Sequence, residues 1–164
     1  MRPSTEFATA KPAIEPSENG GQTEPSTTLQ ALIGTILSPY DGRTDDNRPR
    51  VAISGADTAI TGRSVTSFAL LLYEFATNAA KHGALAIPSC HIDIVCSEGN
   101  GQFIVTWTEL GQLHGDHETE AEGFGSLLAR ETVKGLPGSE NSRDWRPAGL
   151  TIRLSVAKDR LIAE

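Results

Sequence analysis

Apolar residues recur with the spacing of an α-helix in two segments of the chain. The run TLQALIGTILSPY starts at Thr28 and predicts a short helix that ends at Pro39. A second, longer pattern predicts a helix that begins near Arg63 or Ser64, with Ser64 a plausible N-cap, and ends at Gly83. Its apolar face has five members at helical spacing, namely Phe68, Leu71, Leu72, Phe75 and Ala79.

Strand and turn signals occupy much of the remaining chain. Val51–Ser54 predicts a strand that ends at Gly55. Two further strands, about Cys90–Cys96 and Gln102–Glu109, flank the run Glu98-Gly99-Asn100-Gly101, which is a strong hairpin signal. The later part of the chain predicts a polar loop and three elements: a loop over 110–122, a helix at Phe124–Lys134, and strands near Asp144–Arg146 and Gly149–Val156.

This order of elements predicts an α+β fold, a two-layer α/β sandwich in which a mixed or antiparallel sheet packs against helices. Residues 1–27 are rich in Pro, Gly, Ser, Thr and Glu and have no apolar period, so we expect a disordered tail or linker there. The folded domain is expected over residues 28–164.

Composition excludes several classes of partner. The net charge of −7 disfavours a nucleic-acid surface. No apolar stretch approaches the roughly 18–20 residues that a membrane span needs, so no membrane contact is expected. Cys90 and Cys96 fall in one predicted strand at a separation of roughly 20 Å, which is beyond disulfide reach. We therefore expect a reduced, cytoplasmic chain.

Three polar side chains share one strip of the long helix. At about 100° per residue, Asn78 lies roughly 40° from Glu74, and Lys81 lies roughly 20° to the other side of Glu74. A hard cation takes oxygen ligands from Asn and Glu, and a nearby Lys suits phosphate oxygens. The strip has the chemistry of a nucleotide–magnesium site, although a solvated helix face would carry similar residues.

The run YEFATNAAKHGAL, from Tyr73 to Leu85, resembles the N-box of histidine-kinase catalytic domains, specifically that of the HWE subfamily. His82 stands where the family frequently has Tyr. The matching positions are Glu74, Ala76, Thr77, Asn78, Ala79, Lys81, Gly83, Ala84 and Leu85.

Two further motifs follow in the order of that family. Trp107-Thr108-Glu109, followed by Gly111, resembles the Trp-x-Glu motif, whose buried carboxylate can accept the exocyclic amine of adenine. The second resembles the family's phosphate-binding Gly-Phe-Gly-Ser box at the start of a helix, formed here by Gly123, Phe124, Gly125 and Ser126.

The resemblance implies an ATP-binding catalytic domain with a role for each matching residue. Asn78 would ligate Mg²⁺, and Glu74 would help to orient the attacking imidazole or its water. Lys81 would hold a phosphate and Glu109 the adenine, while His82 and Gly111 would line the pocket. Gly123, Phe124, Gly125 and Ser126 would hold the phosphate backbone. Catalysis would consist mostly of positioning and charge neutralisation.

The sequence departs from the family around the loop. Gly111-Gln112-Leu113 replaces a frequent Gly-Gly-Pro, and Leu127 stands where a basic residue often follows the box. Four acids in the loop would repel a polyphosphate unless they point outward or Mg²⁺ screens them: Asp116, Glu118, Glu120 and Glu122. These departures favour a second interpretation, a degraded pocket that serves as a docking module.

The phosphoacceptor is the largest absence. None of the four histidines, His82, His91, His114 and His117, falls on an N-terminal helix. His114 and His117 are expected to be solvated loop residues and not a metal site. The chain is thus expected to be a piece of a longer kinase or a free-standing module. Its partners would be a histidine-containing dimerisation domain, in cis or in trans, and a response regulator.

A third interpretation is a trans-acting kinase like the anti-sigma-factor kinases, although the Trp-x-Glu motif argues against it.

Overall fold

A computed structural model of the chain describes residues 27–111, 140–146 and 149–162. The tail predicted over residues 1–27 lies outside these residues except for Thr27, as do most of the predicted loop and the predicted helix Phe124–Lys134. In chain order the elements are β1 (Thr27–Thr28), α1 (Leu29–Leu37), β2 (Val51–Gly55), β3 (Ala59–Ile60), α2 (Arg63–His82), β4 (His91–Gly99), β5 (Gln102–Leu110), β6 (Glu140–Arg146), β7 (Gly149–Ala157) and α3 (Lys158–Leu161). Two short 3₁₀ helices span Ser38–Tyr40 and Ala84–Ala86.

The main sheet has five strands in the order β2-β4-β5-β7-β6. The β2 and β4 strands are parallel, and the other neighbours are antiparallel. The register aligns Val51, Ile92, Glu109 and Leu150 in one row across four strands. The predicted α+β sandwich with a mixed sheet is therefore confirmed.

The hairpin between β4 and β5 follows the predicted turn chemistry. Asn100 and Gly101 both have positive φ, at 54° and 72°, which suits the twist of a two-residue hairpin turn. This turn fixes the register of β5 and places Phe103, Val105, Trp107 and Glu109 on one buried face.

The helical layer packs on this face through the predicted apolar residues. All five members of the α2 face are buried, and α1 contributes Leu29, Ile33 and Leu37 to the same core. The ring of Phe75 on α2 meets Trp107 on β5 edge-on, with centroids 5.7 Å apart. Helix α2 is thereby fixed directly over the end of the Trp-x-Glu motif.

The predicted start of α2 is right, but its cap is wrong. Gly62 occupies the N-cap position, and it provides no side-chain hydrogen bond. Ser64 lies inside the helix, where its buried hydroxyl donates to the carbonyl of Arg160 at 2.7 Å. Serine is a residue type that favours the N-cap position, but the hydroxyl of Ser64 instead bonds to Arg160, 96 residues away in the sequence.

The two cysteines are buried thiols. Cys90 directly precedes β4 and is not part of it, so this strand begins one residue later than predicted. Burial raises the pKa of both thiols, that of Cys96 to about 11. Within the described ranges, no helix is long and apolar enough to cross a membrane.

Candidate functional site

The predicted polar strip lies on the last turns of α2. Because the helix is continuous from Arg63 to His82, Glu74, Asn78 and Lys81 occupy one face at i, i+4 and i+7. Glu74 and Asn78 are half-buried, whereas Lys81 and His82 are exposed. Among the described residues, the side chains of Glu74, Asn78 and Lys81 have no hydrogen-bond or ion-pair partner. The strip therefore offers an amide, a carboxylate and an ammonium to a ligand.

Glu109 lies beside the end of this helix and is 3% exposed. Its Oε1 accepts a hydrogen bond from the backbone N–H of Ala84 at 2.9 Å, and its Oε2 accepts one from Trp107 Nε1 at 3.2 Å. The predicted burial of this carboxylate is confirmed. A carboxylate has about four acceptor positions, so two remain after these protein contacts.

Gly83 is the residue of the N-box that lies against Glu109 of the Trp-x-Glu motif. It is the C-cap of α2, as predicted, but its φ of −122° is not the left-handed conformation that usually selects glycine there. A Cβ on Gly83 would instead overlap Glu109 Oε1. The residue is small because a buried carboxylate lies against it.

Gly111 is the predicted pocket residue whose backbone requires glycine. Its φ is +132°, and a Cβ there would overlap the Cys90 thiol. It follows directly after β5, two residues beyond Glu109. The motif Gly123-Phe124-Gly125-Ser126, together with His114 and His117, lies outside the described residues.

A cationic side chain lies over the ring of Phe75. The guanidinium carbon of Arg143, on β6, lies 5.8 Å from the centroid of the Phe75 ring. Burial raises the pKa of the Glu109 carboxyl above its ordinary value of 4.5, while the hydrogen bonds from Ala84 and Trp107 and the charge of Arg143 act in the opposite direction. Burial outweighs these contacts.

Sequence reasoning missed Arg50, which directly precedes β2. Its Nη2 lies within hydrogen-bond distance of three carbonyl oxygens that follow the N-box helix: Ala84 at 3.1 Å, Leu85 at 3.1 Å and Ile87 at 3.0 Å. No local pattern identifies an arginine whose partners lie more than thirty residues away.

Known proteins of similar sequence and fold identify the class of domain. No family model matches the chain. A blue-light-activated histidine kinase of Erythrobacter litoralis is 31% identical over 130 residues, which are 78% of this chain and 35% of that relative. A second one, from Brucella anthropi, is 29% identical over 130 residues, which are 77% of this chain and 26% of that relative.

Solved structures agree with these relatives. The histidine kinase domain of a blue-light-activated histidine kinase from Erythrobacter litoralis superimposes with a TM-score of 0.61 at 19% identity, over 81% of this chain and 62% of that one. A mycobacterial sensor histidine kinase gives a TM-score of 0.59 at 13% identity, over 81% of this chain and 96% of that one. The chain belongs to the histidine-kinase catalytic domains. The family predicted from the sequence is confirmed.

This kinase domain spans about a third or less of the curated relatives it matches. Since the comparisons name histidine kinases, they favour neither a docking module nor an anti-sigma-factor-like kinase.

Replacing Glu109 with glutamine should destabilise the kinase domain by about 1–3 kcal/mol at neutral pH. The carboxamide has one oxygen, so its NH₂ group must face either the Ala84 N–H or the Trp107 Nε1–H. Urea unfolding measures the loss. Glu98→Gln is the control, since Glu98 is exposed, forms an ion pair with Lys158 at 3.2 Å, and should lose less than about 1 kcal/mol.

The same pair of proteins should differ in pH dependence. Because the folded-state pKa of Glu109 is raised, the native state binds more protons between the unfolded and folded pKa values, and stability falls as pH rises through that window. The advantage of wild type over Glu109→Gln should therefore be larger below pH 4.5 than at neutral pH. An advantage that grew with pH would mean that the contacts from Ala84, Trp107 and Arg143 outweigh burial, and would contradict the raised pKa.

Proposed function

We propose that this domain binds ATP with Mg²⁺ and transfers the γ-phosphate to a histidine on a separate domain or partner, as in two-component signalling. One observation carries the proposal: three polar groups that have no partner among the described residues share one face of α2, and a buried carboxylate, Glu109, bonds to the backbone directly after that helix. Membership in the histidine-kinase catalytic domains supports the same reaction.

The strip residues fit a magnesium–phosphate group by their chemistry. Asn78 offers an amide oxygen and Glu74 a carboxylate, both hard ligands, and Lys81 offers an ammonium to a phosphate oxygen. Bound Mg²⁺ would neutralise phosphate charge. Glu74 would orient the attacking imidazole or its water, and His82 would form part of the pocket wall.

Glu109 would take the adenine. Its two remaining acceptor positions suit the exocyclic amine, while Ala84 and Trp107 hold the carboxylate in place. Gly111 would border this side of the pocket. The phosphates of ATP would be held by the Gly-Phe-Gly-Ser box, Gly123, Phe124, Gly125 and Ser126.

The partners proposed for this domain are a dimerisation domain that carries the acceptor histidine, and a response regulator. We place the reaction in the cytoplasm, where a reducing environment suits the two buried thiols.

Isothermal titration with a non-hydrolysable ATP analogue, with Mg²⁺ and with chelator, tests the proposal. We expect saturable binding that Mg²⁺ strengthens, and a gain in stability of about 2.7 kcal/mol at 100 times the dissociation constant. The matching GTP analogue should bind at least about tenfold more weakly, because guanine presents a carbonyl where adenine presents an amine. No heat and no thermal shift at millimolar nucleotide would contradict the proposal and favour a docking module.

A further inference from the structure

Arg50 and Glu109 hold opposite sides of the same short segment. The segment is Gly83–Ile87, which leads out of the N-box helix. The amide of Ala84 donates to Glu109, and its carbonyl accepts from Arg50 Nη2. The carboxyl group of Glu109 and the guanidinium of Arg50 thus both hydrogen-bond to the backbone of Ala84. Hydrogen bonds to charged groups are roughly twice as strong as neutral ones.

Both charges stand at the same end of the sheet. Arg50 precedes the first residue of β2, and Glu109 is aligned with that residue across β4 in the register. The carbonyl of Arg50 also accepts from the Ile92 N–H at 2.8 Å, which fixes the arginine to the start of β4. The segment is therefore tied to the strands β2, β4 and β5.

Arg50 supplies hydrogen-bond donors to a segment that makes few hydrogen bonds within itself. The 3₁₀ turn from Ala84 to Ala86 has few hydrogen bonds of its own, with Ala86 N–H donating to Gly83 and Ile87 N–H to Ala84. Among the described residues, the buried Nε of Arg50 has no hydrogen-bond partner. The Nη2 group of Arg50 therefore supplies donors to three carbonyls of this segment.

We propose that Arg50 is a positioning residue for the nucleotide site: with Glu109 it fixes the Gly83–Ile87 segment and so aligns the adenine side of the pocket. The inference rests on the proposed function. Arg50 acts through the segment and through Glu109, and it leaves the magnesium side of the strip, Asn78 and Glu74, to the helix itself.

The test measures two ratios in the full chain: ATP over GTP analogue affinity, and ATP analogue affinity with Mg²⁺ over that with chelator. Arg50→Met should lower ATP affinity by about tenfold and reduce the preference over GTP, with the Mg²⁺ ratio unchanged. Arg50→Lys restores a cationic donor and should recover most of the affinity and preference. Arg153→Met, at an exposed position on β7, should match wild type.

The outcomes separate the inference from the proposed function. If wild type binds nucleotide and a folded Arg50→Met retains wild-type affinity and preference, the inference is overturned and the proposed function stands. A lost Mg²⁺ ratio, or failure of Arg50→Lys to recover preference, would also overturn it. If Arg50→Met does not fold, Arg50→Gln decides by the same ratios, since it keeps an N–H donor but no charge. A wild-type chain that binds no nucleotide would overturn both.

Discussion

Replacement of Asn78 by alanine should abolish the Mg²⁺-dependent part of ATP binding. A methyl group cannot ligate the cation, and Asn78 supplies the amide oxygen of the strip on α2. The helix should tolerate the change, because alanine is the better helix former by up to about 0.7 kcal/mol. Titration of the ATP analogue with Mg²⁺ and with chelator should give equal affinities, with the melting temperature unchanged or slightly raised.

Thr66→Ala is the matched control on the same helix. Thr66 is exposed, and its replacement should leave both the Mg²⁺ ratio and the affinity at wild-type values. If Asn78→Ala kept the wild-type Mg²⁺ ratio, the strip of Glu74, Asn78 and Lys81 would be only a solvated helix face.

Trp107→Ala should cost about 3–5 kcal/mol of the free energy of unfolding. The indole is 1% exposed, it packs edge-on against Phe75, and its N–H donates to Glu109 Oε2. Truncation leaves a cavity under α2 and withdraws a hydrogen bond from a buried carboxylate. Urea unfolding measures the loss.

Trp107→Phe separates the two contributions. It keeps most of the ring packing and removes only the N–H, so it should cost about 1–3 kcal/mol. Val95→Ala, at an exposed position on the neighbouring strand β4, should change stability by less than about 0.5 kcal/mol. Equal losses for Trp107→Phe and Trp107→Ala would mean that the hydrogen bond to Glu109, and not packing, dominates.

Elements set by local pattern were predictable from the sequence. The apolar period placed α2 within one residue of its ends, and the Asn100-Gly101 turn specified the hairpin that puts Trp107 and Glu109 on the buried face. Because both patterns also carry the family motifs, the fold class and the family could be predicted, and the comparisons confirm both.

Features set by distant partners were not predictable. Ser64 has the right residue type for a cap, but Arg160 takes its hydroxyl. The size limit at Gly83 comes from Glu109, and the role of Arg50 comes from carbonyls more than thirty residues away. A single sequence records residue types along the chain, whereas these contacts depend on how the sheet brings distant residues together.

The most direct test of the nucleotide site is the nuclear magnetic resonance signal of the Asn78 side-chain amide with Mn²⁺ in place of Mg²⁺. A paramagnetic ion broadens the signals of nuclei close to it. With Mn²⁺ and the ATP analogue, the Asn78 NH₂ signals should disappear, while those of Asn100, in the hairpin at the other end of β5, stay sharp. Sharp Asn78 signals at saturating Mn²⁺ and nucleotide would contradict a cation site on the N-box helix.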